Sequence, residues 1–167
     1  IQEIDDLDQR LCRVEHALAA YAKTNPEVQV LLSIQGIGVI VATAFVARVP
    51  SIHMFKRGRS FSSWLGLTCR EYSSGQTRRL SRITKQGDRY LRTMLIHGAR
   101  AALMVARRKA ANGKSLTRLE TWAVNTQVRV GHNKATVALA NKMARIMWAV
   151  WTRHETFNGY DALRFAA

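Results

Sequence analysis

The 167 residues hold 26 Lys and Arg against 11 Asp and Glu, for a net charge of +15, and 47% of them are hydrophobic. That supports one compact domain with a modest core rather than two, and it calls for a polyanionic partner, nucleic acid first. Two cysteines, Cys12 and Cys69, exclude a disulfide scaffold, and no Cys or His pair has zinc-ligand spacing. Both are expected to be buried thiols in a reducing compartment.

Residues 1–27 hold six acids and three bases, whereas the stretch from Arg48 to Lys109 holds fifteen bases against only Glu71 and Asp88. The acidic, polar start is not a secretory signal, and a chain opening on Ile rather than Met reads as a fragment of something longer. Ile4, Leu7, Leu11, Val14, Leu18 and Tyr21 recur at spacings of three and four. That is an a/d seam, open to coiled-coil pairing or to packing on the chain's own domain. Val28–Ala47 is uncharged, but Gln29, Ser33, Gln35, Gly36 and Gly38 interrupt it, so it does not read as a membrane span.

Asn25-Pro26-Glu27 starts a helix that should run to about Ile34, and a second should run from Val39 to Val49, stopped by Pro50. The Gly36-Ile37-Gly38 joint resembles a helix-hairpin-helix, whose glycines admit a phosphate to backbone N–H groups. A tight helical turn with packing glycines is the other reading. A basic loop (Lys56, Arg57, Arg59) leads into a short helix, Ser60–Leu65. The stretch from Arg70 to Gly87 has no helical period and should be an exposed loop or irregular hairpin.

Asp88 can cap a helix over 89–109, with Arg89, Arg92, Arg100 and Arg107 on one stripe. Asn112-Gly113 ends it. Another helix follows over about 115–129, and a last one over about 134–153. On that last helix Lys134, Lys142, Arg145 and Arg153 share a face opposite apolar residues. The class is all-α: a coiled-coil or linker helix (1–24), a compact helical domain (25–155) and a tail (156–167).

Metal-dependent nuclease chemistry needs several converging carboxylates, and beyond residue 27 the acids stand singly: Glu71, Asp88, Glu120, Glu155 and Asp161. The five histidines are also isolated. A hydroxyl in a cationic loop remains. Ser74, followed by Gly75 and then Arg78, Arg79 and Arg82, fits attack on a phosphodiester with guanidinium groups offsetting charge. A simple turn beside phosphate-binding arginines fits the same residues.

The motifs Ile34-Gln35-Gly36-Ile37-Gly38, Trp64-Leu65-Gly66-Leu67, Ser74-Gly75, Ile83 through Asp88 and Ala138 through Arg145 occur in order. Together, from about Leu31 to Trp151, the chain resembles the C-terminal part of Piv-like insertion-sequence transposases of the IS-one-ten type. The final helix looks closest to the IS-eleven-eleven subgroup. The resemblance implies that Ser74 is the nucleophile, completing a composite site with an N-terminal RuvC-like domain. That domain, absent here, would supply four acidic ligands for Mg2+, so no cofactor or metal is expected in this chain.

The resemblance further implies DNA as partner, a noncoding guide RNA, self-association through residues 4–21, and a place beside the nucleoid in a bacterial cytoplasm. Phosphate contacts are expected from Gly36, Gly38, Arg78, Arg79, Arg82, Lys85, Arg89 and Arg92, and from Lys134, Lys142 and Arg145 on the last helix. Gln35, Cys69 and Asp88 depart from the family's usual Pro, Pro and Asn. A non-catalytic module that binds nucleic acid and dimerises is the alternative, and a ribosome-like RNA-binding protein would explain the charge but not the ordered motifs.

Overall fold

The computed structural model describes residues 2–159. Seven α-helices run in chain order: α1 (Gln2–Thr24), α2 (Pro26–Leu32), α3 (Val39–Arg48), α4 (Gly58–Trp64), α5 (Arg89–Ala111), α6 (Arg118–Val130) and α7 (His132–Arg153). A 3-10 turn, Ile52–Met54, precedes α4. Between α4 and α5 stand two antiparallel strands, β1 (Cys69–Glu71) and β2 (Leu80–Ile83). The all-α expectation is therefore corrected to a mostly helical domain with one small hairpin. The hairpin lacks a period-2 hydrophobic pattern because both of its faces meet solvent.

Helix α7 is the centre of the domain, and α2, α4, α5 and α6 pack around it. Its inner face is mostly small or flexible (Ala135, Ala140, Met143, Ala144, Met147), which lets neighbouring helices approach closely. Phe45, Phe55, Phe61 and Trp64 form an aromatic cluster beside it, with Phe55 and Phe61 edge to face at 5.0 Å. Trp148 Nε1 donates to the Phe55 carbonyl at 2.8 Å and Asn141 Nδ2 to the Leu67 carbonyl at 2.9 Å, so α7 fixes both ends of the α4 segment.

Helix starts follow the capping chemistry. The Asn25 side chain accepts from Val28 N, with Pro26 opening α2. Thr117 and Glu120 form a reciprocal capping box that starts α6 at Arg118, three residues later than expected. Helix α2 ends at Leu32, short of Ile34, where the Ser33 hydroxyl donates back to the Val30 carbonyl at 2.6 Å.

Three expectations about environment change. Cys12 and Cys69 are free and exposed rather than buried, because α1 projects from the domain and β1 opens the solvent-facing hairpin. On α1, Ile4, Leu7, Leu11 and Val14 are each more than half exposed, while Leu18 is half-buried where the helix reaches α2 and α3. Of the tail over 156–167, Phe157 N donates to Ser33 Oγ at 2.8 Å, and residues 160–167 lie outside the described part. No described helix is long and apolar enough to cross a membrane.

Candidate nucleic-acid interface

The hairpin root is held firmly. Lys85 N donates to the Gly66 carbonyl and Thr84 N to the Thr68 carbonyl, and Arg70 reaches the Thr84 carbonyl at 3.1 Å. Gly66 lies so close to the Gln86 backbone that a Cβ there would collide with it. Arg92 belongs to this joint. It is buried, and its guanidinium donates to the Leu65 carbonyl at 3.1 Å. Expected to face a phosphate, Arg92 instead braces the α4–hairpin junction, because the start of α5 turns this side of the helix inward.

The tip is different. Ser74 and Thr77 bridge through paired backbone hydrogen bonds of 3.2 and 3.1 Å around Gly75-Gln76, and only Gly75 has positive φ. A glycine first in a two-residue loop is the type II′ pattern that suits the twist of a hairpin. Opposite pairing of Ser74 with Thr77, and of Glu71 with Leu80, fixes the alternation of faces. Tyr72, Ser74, Thr77 and Arg79 share one face. Glu71, Ser73, Arg78 and Leu80 share the other.

The second face is internally paired: Ser73 Oγ donates to Glu71 Oε1 at 2.7 Å, and Arg78 Nε donates to the same oxygen at 3.0 Å. These two hydrogen bonds hold the Glu71 carboxyl below the usual carboxylate range. Glu71 is thus a weak base on the far side from Ser74, and Arg78 is partly neutralised. Arg79 is the arginine of the tip that shares the face of Ser74.

The remaining candidates scatter. Arg79, Arg82, Lys85 and Arg89 are exposed around the hairpin and the start of α5. Asp88 caps α5 by accepting from Leu91 N at 2.9 Å, and its charge meets Arg48 at 2.7 Å. Gly36, with φ +90°, presses its backbone onto Gly98 of α5, whereas Gly38 opens α3 with nothing near its missing Cβ. Of the two glycines, only Gly38 leaves room for a ligand.

On α7, Lys134 is exposed, Lys142 lies 4.6 Å over the Trp122 ring, and Arg145 is half-buried near Arg59. Burial, then the neighbouring Arg145, holds the Lys142 ammonium below its usual range. Sequence reasoning left out one feature: an open groove of about 590 Å³ lined by Arg57, Arg59, Ser60, Ser63, Trp64 and Thr68. Its signal was the basic run before α4, read only as a loop.

Among the described residues no three of His, Cys, Asp and Glu lie together as metal ligands. Glu71, Asp88 and Glu120 are each engaged with a neighbouring cation.

The pattern described as the transposase IS116/IS110/IS902 family matches residues 28–114, which run from within α2 to just past the end of α5 and include the whole hairpin. The chain belongs to this transposase family. A probable family 20 transposase of Pseudomonas aeruginosa is 39% identical over 93% of the chain and 44% of that protein. The transposase for insertion sequence element IS1111A of Coxiella burnetii is 43% identical over 93% of the chain and 41% of that protein. The transposase for insertion sequence element IS1328 of Yersinia enterocolitica is 32% identical over 91% of the chain and 44% of that protein. The chain thus spans less than half the length of these relatives.

Proposed function

We propose that this chain is the nucleic-acid-binding, serine-bearing part of an insertion-sequence transposase, with Ser74 as the nucleophile of DNA recombination. The observation that carries the reading is the position of Ser74: exposed at the tip of a cationic hairpin, on a face shared with Arg79. In the proposed step Ser74 Oγ bonds to the scissile phosphorus and the bond to the leaving deoxyribose oxygen breaks. Arg79 offsets charge on the phosphoryl oxygens.

The hydroxyl proton needs an acceptor that the hairpin lacks, since Glu71 faces away and is weakly basic. That acceptor is assigned to the RuvC-like domain of a longer protein. DNA is the substrate, a guide RNA is the second polyanion, and the α1 seam joins two copies.

Trapping the full-length protein on suicide DNA and locating the adduct by mass spectrometry tests the assignment. Ser74→Ala should keep binding and lose strand exchange, and an adduct on Ser73 or undiminished exchange would overturn it. The alternative, a binding module without chemistry, predicts no specific loss in Ser74→Ala.

A further inference from the structure

Gly58 seats the start of α4 directly on α7. A Cβ there would lie 3.1 Å from the Arg145 carbonyl oxygen and 3.3 Å from Arg145 Cβ. The next residue, Arg59, and Arg145 are therefore brought into one neighbourhood from helices 86 positions apart in sequence. Among the described residues neither guanidinium has a carboxylate partner. Partial burial, then the charge of Arg59, disfavours the charged form of Arg145, so the two cations repel in the free chain.

Arg59 also lines the groove that runs to the hairpin root, together with Arg57, three hydroxyls (Ser60, Ser63, Thr68) and Trp64. That lining presents guanidiniums, hydroxyls and an apolar wall, with no acid. Trp64 is stacked on Phe61 and packed on Phe55, so the wall is rigid.

We infer that Arg59 and Arg145 together clamp one phosphate of a nucleic-acid strand at the Arg59 end of this groove, whose own lining includes Arg59 but not Arg145. Two forked guanidiniums converging on one anion remove their mutual repulsion and saturate the phosphate oxygens. The inference rests on the nucleic-acid-binding role proposed for the chain, but it names a site distinct from the hairpin tip. Six residue steps along the extended hairpin separate Thr68 from Ser74, about 20 Å at ~3.3 Å per residue. The clamped phosphate is therefore not the one Ser74 attacks, and the clamp sets the register of the strand relative to the tip.

The test is a salt titration of binding by fluorescence anisotropy, using duplex DNA, single-stranded DNA and RNA of one sequence. Arg59→Gln, Arg145→Gln, the double variant and Arg79→Gln are compared with the parent chain. On the strand type that occupies the groove, the double clamp variant should lower the log–log salt slope by about 0.9 for duplex or about 0.7 for a single strand, the loss of one phosphate. Each single variant should weaken binding with a smaller loss of slope, because the remaining guanidinium still meets the shared phosphate. Arg145→Gln should also melt no lower than the parent when free, since repulsion is removed. If Arg145→Gln fails to fold, Arg145→Met, which keeps an unbranched stem without the charge, replaces it in the single and double variants.

An unchanged slope in the double variant, with a reduced slope in Arg79→Gln, would overturn the clamp and leave the hairpin reading standing. A double-variant loss of twice the one-phosphate value would also overturn it, by placing the arginines on separate phosphates. A parent chain with no salt-dependent binding to any of the three probes would overturn both.

Discussion

Gly36 and Gly98 touch backbone to backbone. A Cβ on Gly36 would sit 2.5 Å from the Gly98 carbonyl oxygen, and one on Gly98 would collide in turn with Gly36. Gly36 also holds φ at +90°, where side chains are strained. The α2–α3 turn therefore meets α5 at a distance only two glycines allow.

The first prediction follows from that contact. Gly36→Ala and Gly98→Ala should each destabilise the chain by about 2–4 kcal/mol, combining overpacking with, at Gly36, backbone strain. Gly38→Ala, with open space around it and negative φ, should stay within ~1 kcal/mol. Denaturant midpoints check this. Equal losses at Gly36 and Gly38 would contradict the separation of packing from ligand access.

A second prediction concerns the two faces of the hairpin. Arg79→Ala should reduce the salt slope of duplex binding by about 0.9, whereas Arg78→Ala should reduce it less because Glu71 already engages Arg78. A larger effect from Arg78 would show that the pairing breaks on binding.

Self-association gives a third. The α1 stripe of Ile4, Leu7, Leu11 and Val14 is costly in a lone helix, so light scattering at tens of micromolar should find at least a dimer. Leu11→Asp combined with Leu18→Asp should dissociate it. A monomeric parent would remove the coiled-coil reading.

The fourth is a pH dependence. Glu120 is 3% exposed and accepts from Lys109 Nζ at 2.7 Å and Thr117 N at 2.8 Å. Burial alone would raise its carboxyl, but the hydrogen bonds from Lys109 and Thr117 outweigh it and hold the group low. A depressed carboxylate contributes stability fully above its unfolded value of about 4.3, and loses it as pH falls through the folded value. Glu120→Gln should cost about 1–3 kcal/mol at neutral pH and flatten the acid limb of melting temperature against pH. A parallel acid limb in the variant would count against the assignment.

Legibility in the sequence tracked burial. The caps at Asn25 and Asp88 and the apolar face of α5 were readable because local chemistry and period agree there. Thr117-Arg118-Leu119-Glu120 was an equally local signal, a capping box, and it places the α6 start that periodicity blurred. The strands were not readable as such, since a hairpin exposed on both faces selects no alternation. Arg92 misled because a 3.6-residue stripe does not say which part of a helix meets a neighbouring turn. The Arg59–Arg145 neighbourhood depends on the tertiary seat made by Gly58, which no spacing along the chain encodes.

The contrast between a pinned root and a bare tip bears on when the proposed chemistry is permitted. Two strands without a covering layer are marginally stable in water, so the alignment of the tip is completed by whatever docks against it. A hydroxyl carried there gains a defined line of attack only once substrate and the rest of the enzyme surround the arm. On the proposed chemistry, the serine of an unassembled chain is an unaimed nucleophile, and assembly itself is the step that arms it.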